Sequence, residues 1–168
     1  MSEYQERIFQ ALTQALEWLV QYDGDLIDAQ PKEECINHKL AQYLEQALRE
    51  KDLLDGCCVD MEYDKYKEDK KKTSNGRHIR PDIIAHQRES GNRNNLIVIE
   101  AKKGYAISED KNKVTHLVSN SDYQYAVGAL ISYLPKRPYL KIKFRTRGGR
   151  WRTYRFEKND TTVAETSR

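Results

Sequence analysis

Residues 80–103, RPDIIAHQRESGNRNNLIVIEAKK, are the stretch from which the fold of this chain can be predicted. Two runs rich in Ile, Val and Leu, residues 79–86 and 95–102, flank a polar segment that contains a glycine. This pattern predicts two short strands joined as an antiparallel hairpin. If the loop is centred on Gly91, the numbers of opposed residues sum to about 182, so Asp82 faces Glu100.

The opposed carboxylates of Asp82 and Glu100 form the first candidate site. Side chains alternate along a strand, so Lys102 shares the face of both acids. Two carboxylates with Cβ atoms roughly 5 Å apart repel each other unless a cation lies between them. Oxygen ligands of this kind suit Mg²⁺, and Lys102 could orient a water or offset charge on a phosphate. The alternative is a pair of acids on a solvated hairpin face, although Pro81 favours an edge or bulge position.

Pro81-Asp82, followed one strand later by Glu100-Ala101-Lys102, resembles the motif of the PD-(D/E)XK nuclease superfamily. The resemblance covers about residues 30–145 and implies an α/β, restriction-endonuclease-like fold. Its α-β-β-β-α-β core would be a mixed sheet flanked by helices. It also implies hydrolysis of phosphodiester bonds with Mg²⁺, or with Mn²⁺ in its place. Asp82 and Glu100 would bind the ion, the Ala101 carbonyl would be a third ligand, and Lys102 would act on the water or the phosphate.

The helix before these strands is expected to contribute another acid. Residues 31–51 place Ile36 and Leu40 at helical spacing, and Glu33 lies on the same inward stripe. An acid at a helix start can also favour the helix dipole while staying solvated, so both interpretations remain open. Within the resemblance, such an acid approaches the active site. Glu33 is the expected residue and Glu34 the alternative.

Residues 57–64, CCVDMEYD, alternate apolar and polar side chains and predict a first strand. The simpler interpretation is a half-buried strand with a polar outer face. The pattern also resembles the first core strand of small nuclease-like proteins, in which such a glutamate can lie near the metal. Glu62 is therefore a further candidate for binding the metal or its waters.

Two longer segments have helical patterns. Residues 3–22 carry apolar residues at helical spacing, and Gly24 is expected to end that helix. Residues 108–134 are also predicted to be helical, with a break near 119–121. The residues that recur every four positions there are Tyr125, Ala129 and Tyr133.

Two basic segments predict contacts with nucleic acid. Residues 66–77 form a lysine-rich loop, and residues 138–157 form a basic β-hairpin that turns at Gly148-Gly149. From Lys136 to Lys158 there are ten basic residues and one acid. Such side chains bind phosphates, and an aromatic side chain can stack on a base. The alternative is a solvated loop and a solvated strand face. The candidate residues are Lys70, Lys71, Lys72, Arg77, Arg147, Arg150, Trp151 and Arg152.

Composition limits the remaining possibilities. A chain of 168 residues suits one domain, expected over 1–158 with a flexible tail over 159–168. No apolar run approaches the ~20 residues of a membrane span, and the N-terminus lacks a secretory pattern. Three cysteines without disulfide or zinc spacing predict reduced thiols in a cytoplasmic protein.

Three functions fit these observations. The first is a metal-dependent nuclease, with DNA as the expected substrate and a homodimer for duplex cutting. The second is a catalytically inactive nuclease-like fold that acts as a nucleic-acid-binding or regulatory subunit. The third is a protein-interaction module whose basic hairpin meets an acidic partner. Metal-dependent cutting separates the first from the second, and salt-dependent DNA binding separates both from the third.

Overall fold

The computed structural model of the protein describes residues 1–66, 69–72, 76–88 and 95–166. The helices are α1 (Glu3–Ala29), α2 (Glu33–Glu50) and α3 (Ser108–Ser119). The strands are β1 (Cys58–Met61), β2 (Lys65–Tyr66), β3 (Asp69–Lys70), β4 (Ile83–His86), β5 (Ile97–Lys103), β6 (Val127–Tyr133), β7 (Tyr139–Thr146), β8 (Arg152–Glu157) and β9 (Val163–Glu165).

A seven-stranded mixed sheet in the order β1-β4-β5-β6-β7-β8-β9 forms the centre of the fold. Strands β5 and β6 are parallel, and the other neighbours in this sheet are antiparallel. Helices α1 and α2 pack on one face around a large apolar core, and α3 packs on the other face. Strands β2 and β3 pair with each other outside this sheet. The predicted α/β class is confirmed at this general level.

The central hairpin has the predicted register. Ile84 of β4 pairs with Val98 of β5, and the next position in each direction continues the ladder. Asp82, directly before β4, therefore lies beside Glu100 of β5. Residues 89–94 of the predicted loop lie outside the described residues. The arithmetic of a loop centred on Gly91 was sufficient to align the two acids.

The predicted helix over 108–134 is wrong after its first twelve residues, because α3 ends at Ser119 and the chain returns as β6. All seven residues of β6 are buried. A strand covered on both faces loses the alternation that identifies strands in a sequence. Helix α3 packs closely against β6 at Gly128, because a Cβ atom there would lie 2.4 Å from Val114 Cγ1.

The first helix continues beyond the predicted end at Gly24. A kink at Asp23 (φ −133°, ψ 25°) separates two helical segments, and Ile27 in the second is buried. The kink thus redirects the helix without ending it. None of the helices in the described ranges has the length and apolar content of a membrane span.

The C-terminal basic hairpin is confirmed as β7 and β8, which turn near Gly148. Leu140, Ile142 and Phe144 point into the core shared with α1. The segment expected to be a flexible tail, 159–168, instead contributes β9, which pairs with β8. Its last two residues lie outside the described part of the chain.

Candidate functional site

The site lies where β4 begins and β5 ends, on the sheet face that α3 covers. Glu100 is 0% exposed, and Asp82 is partly buried beside it. Asp82 Oδ2 accepts a hydrogen bond of 2.8 Å from the backbone N–H of Ala101. This bond fixes the Asp82 carboxylate against β5. The Ala101 carbonyl stays a predicted metal ligand.

Glu100 has one satisfied and one unsatisfied oxygen. Lys113 Nζ on α3 donates to Glu100 Oε2 at 2.6 Å. Within the described residues, Glu100 Oε1 is buried and has no hydrogen-bond partner. A buried polar atom without a partner carries a desolvation penalty, which a cation in contact with it would offset.

The pKa values of Glu100 and Asp82 are both raised, which means that the site disfavours their negatively charged forms. Burial, and after it the neighbouring Asp82 carboxylate, raise the pKa of Glu100 to about 7 against the opposing effect of Lys113. Burial also raises the pKa of Asp82, although the Ala101 N–H and Lys102 oppose the rise. A divalent cation between the carboxylates would favour their ionised forms.

Glu33 reaches the site from the opposite face of the sheet. Its Oε2 accepts a 2.7 Å hydrogen bond from the Lys103 N–H, and its Oε1 lies 3.5 Å from Lys102 Nζ. Glu34 is exposed. Of the two acids considered, Glu33 is therefore the one that the α2 N-terminus brings to the end of β5.

Lys102 is held as a cation by its neighbours. Burial lowers its pKa, but the carboxylates of Asp82 and Glu33 outweigh burial and raise the pKa above its usual value. An ammonium group of this kind suits the neutralisation of a phosphate better than the removal of a proton from water.

Glu62 adjoins the site through its backbone. Its N–H donates to the Asp82 carbonyl at 3.0 Å, which continues the β1–β4 ladder by one residue. The backbone is left-handed there (φ 50°), and the side chain is 47% exposed and lies 3.3 Å from Arg80. The glutamate thus interacts with an arginine, and its role in the site stays a prediction.

The sequence analysis missed Lys113, which touches the most buried acid of the site. Val114, Leu117 and Val118 form the buried stripe of α3. Lys113 lies four residues before Leu117, so helical spacing places it at the border of that stripe. A helix was predicted here, but its recurring positions were assigned to Tyr125, Ala129 and Tyr133, so Lys113 was not placed beside the buried stripe.

Of the lysines predicted to bind phosphate, Lys71 does not fit that role. It is 2% exposed, and its Nζ donates to the carbonyls of Tyr63 (3.1 Å) and Lys65 (2.6 Å). Burial lowers its pKa to about 8. Lys70 lies 3.5 Å from Asp64, whereas Lys72 and Arg77 are exposed.

The predicted residues of the C-terminal hairpin occupy varied positions. Trp151 donates from Nε1 to Thr115 Oγ1 at 3.3 Å and packs against the apolar cluster under α3, which leaves it partly buried. The three arginines around it, Arg147, Arg150 and Arg152, are exposed. These arginines keep access to solvent, while the indole of Trp151 contributes mainly to packing.

The register aligns part of the predicted basic hairpin with the acids, as a basic row of Lys141, Lys143 and Arg155. Glu100 pairs with Leu130 of β6, and Leu130 pairs with Lys143 of β7. Lys141, two residues earlier on β7, shares the face of Lys143, and Arg155 of β8 pairs with Lys141. Two strand spacings of ~5 Å separate Glu100 from Lys143. Positive side chains therefore extend from the acids across the same sheet face.

The donor set fits a hard divalent cation. Asp82 and Glu100 contribute carboxylate oxygens from adjacent strands, and the unpartnered Glu100 Oε1 is the atom that most needs a cation. Mg²⁺ and Mn²⁺ both prefer such oxygen ligands, with water completing the shell.

Comparisons of the chain with protein-family models, with curated proteins and with solved structures found no match.

Proposed function

We propose that the chain is a metal-dependent nuclease that hydrolyses phosphodiester bonds in DNA. The observation that carries this proposal is the buried Glu100 carboxylate, which faces Asp82 and keeps Oε1 without a partner in the described residues. The element order α2, β1, β4, β5, α3, β6 supports the restriction-endonuclease-like core that the motif suggests. A cytoplasmic location and a homodimer belong to the same proposal.

In this mechanism, Asp82 and Glu100 would hold Mg²⁺ or Mn²⁺. The ion would supply Lewis-acid polarisation of the phosphate and a water of lowered pKa. Lys102 contributes a fixed positive charge beside the reacting phosphate, and Glu33 holds that ammonium in place. The Ala101 N–H fixes the orientation of Asp82.

The basic row supports nucleic acid as the substrate. Lys141, Lys143 and Arg155 share the face of the acids, so a strand bound at the site would extend over them. Contacts of this kind are made to phosphates, and they confer affinity without sequence preference.

The direct test is cleavage of plasmid and single-stranded DNA with Mg²⁺, with Mn²⁺ or with EDTA. We expect cutting that requires metal and disappears in Asp82→Asn. Asp122→Asn, which changes an exposed aspartate, is the matched control. Cutting that continues in EDTA or in Asp82→Asn would contradict the proposal.

One observation favours a binding-only alternative. Without a metal, Lys113 pairs with Glu100 and Lys102 pairs with Glu33, so part of the acidic charge is already neutralised. A protein that binds DNA in a salt-dependent manner, but neither binds metal nor cuts with any divalent ion, would support this alternative.

A further inference from the structure

A second cluster of metal-ligating side chains lies at the other end of β4. Cys58 of β1 and His86 of β4 are paired in the ladder, and Asp60 lies two residues after Cys58 on the same face. Their ligand atoms all lie within 4.8 Å of one another. His86 is buried, and the other two side chains are partly exposed, so solvent has access to the cluster.

The distances are close to those of a coordinated ion. Asp60 Oδ2 lies 2.9 Å from His86 Nε2 and 3.4 Å from Cys58 Sγ. Around a tetrahedral zinc ion, ligand atoms are ~3.3–3.8 Å apart, as follows from bond lengths of 2.0–2.3 Å. Rotamer adjustments of less than about 1 Å would therefore bring the three atoms into coordination.

The donor types select the kind of metal. A thiolate, an imidazole and a carboxylate form a mixed soft and borderline set, which favours Zn²⁺ over Mg²⁺. We propose that Cys58, Asp60 and His86 form a zinc site, separate from the Asp82–Glu100 pair, with its fourth position open to water. Cys57 does not belong to this site, because it packs against the core on the α1–α2 face.

Arg88 pairs with Asp60, one of the three proposed ligands. Its Nε donates to Asp60 Oδ2 at 2.9 Å, and its Nη2 donates to Asp60 Oδ1. Zn²⁺ would balance the charges of a thiolate and a carboxylate, so the guanidinium would no longer be needed there. Arg88 is 56% exposed and can move into solvent when the metal binds.

This arrangement predicts competition between Arg88 and the metal. Arg88 and Lys71 both place positive charge near His86, and this charge repels a metal cation. Removal of Arg88 would reduce that repulsion and free the Asp60 carboxylate. We therefore expect Arg88→Ala to bind metal more tightly than the wild-type protein.

The test is a titration of the full-length, metal-free protein with Co²⁺, followed by displacement with Zn²⁺. Co²⁺ bound to a thiolate gives a charge-transfer band in the near ultraviolet, which identifies a cysteine ligand. We expect the band in the wild-type protein and in Cys57→Ser, and its loss in Cys58→Ser. His86→Asn should bind at least about tenfold more weakly, since even the outer partners of metal ligands contribute about 10–100-fold to affinity.

The remaining variants separate this proposal from the nuclease proposal. The double variant Asp82→Asn/Glu100→Gln should keep the cobalt band, so the zinc site can be confirmed or rejected whatever the result for DNA cleavage. Absence of the band in the wild-type protein, or its survival in Cys58→Ser, would overturn the proposal. If Cys58→Ser does not fold, Arg88→Ala decides: tighter Co²⁺ binding supports the site, and unchanged or weaker binding overturns it.

Discussion

Asp82 has a glutamate on either side of it, and the two glutamates differ in burial and in their electrostatic surroundings. Toward β5, Asp82 lies beside Glu100, which is 0% exposed and keeps one oxygen unpartnered in the described residues. Toward β1, Glu62 is 47% exposed and pairs with Arg80. Both glutamates have a cationic partner, Lys113 for Glu100 and Arg80 for Glu62, but only Glu100 also keeps a buried oxygen without a partner among the described residues.

This difference shows that the strand register, which places both glutamates beside Asp82, does not by itself decide which of them can bind a metal. Both glutamates lie next to Asp82, one on each neighbouring strand. Glu100 is inside a seven-residue strand covered by α3, so its side chain is directed into a dry environment. Glu62 follows the end of β1 with a left-handed backbone, so its side chain reaches solvent and Arg80.

Substitution of each glutamate tests this difference, and the loss of Glu100 is expected to have the larger effect on the cleavage rate. Glu100→Gln should reduce metal-dependent DNA cleavage by about 10²–10³-fold, because the site loses a charged ligand in a buried position. Glu62→Gln should reduce it by less than about tenfold, because the lost charge is exposed and paired with Arg80. Initial rates under identical Mg²⁺ concentrations measure both. Equal losses would place Glu62 in the site together with Glu100.

Lys102 and Lys103, at the end of β5, are expected to contribute differently to the cleavage rate. Lys102→Met should slow cleavage by about 10²-fold, because its ammonium is expected to offset charge on the phosphate. Lys103→Met should have little effect on the rate, since Lys103 Nζ donates to the carbonyl of Pro31 at 2.7 Å. Single-turnover rates with saturating metal separate the two. Similar rates for both variants would remove Lys102 from the mechanism.

The stability of the metal-free protein should depend on pH through Glu100. The pKa of this residue is about 7 in the folded protein and lies near 4.5 in the unfolded chain. The protonated form is therefore favoured by folding, so its stabilising effect is complete below pH ~4.5 and is lost as the pH rises through ~7. The loss is on the order of 1–3 kcal/mol.

Glu100→Gln isolates this effect, because glutamine stays neutral at every pH. In EDTA, the variant should be more stable than the wild-type protein at pH 8, and the difference should shrink toward pH 4.5. Urea unfolding at several pH values measures it. A difference that does not change with pH would show that Glu100 is ionised equally in both states.

The smallest effect concerns the basic row. Lys143→Gln should weaken DNA binding about equally for all sequences and reduce the slope of log K against log salt by about 1. Lys39→Gln removes the same charge from α2, on the opposite side of the sheet, and should leave the slope unchanged. Salt titrations of fluorescence anisotropy measure both slopes. Identical slopes would exclude this face as the path of the nucleic acid.

The hairpin and its acids could be predicted from sequence because the information is local. Residues 79–102 contain both strands and the loop, so a symmetric count aligned Asp82 with Glu100. Glu33 was also found locally, since helical spacing placed it on the inward stripe of α2. The structure brings it to Lys102 at 3.5 Å.

The missed features depend on contacts between distant parts of the chain. Strand β6 is buried on both faces, so its sequence lacks alternation and was predicted as helix. That error also placed the buried stripe of the predicted helix at Tyr125, Ala129 and Tyr133, so the contact between Lys113 and Glu100 was missed. It also hid the register from β5 to β7 that aligns Lys143 with Glu100.

The central claim is that Asp82 and Glu100 jointly bind a divalent ion. Calorimetric titration of the metal-free protein with Mn²⁺ tests it directly, with Asp82→Asn and the exposed control Asp122→Asn in parallel. The account predicts Mn²⁺ binding by the wild-type protein and the control, with binding abolished in Asp82→Asn. Equal Mn²⁺ affinity in all three proteins would contradict it.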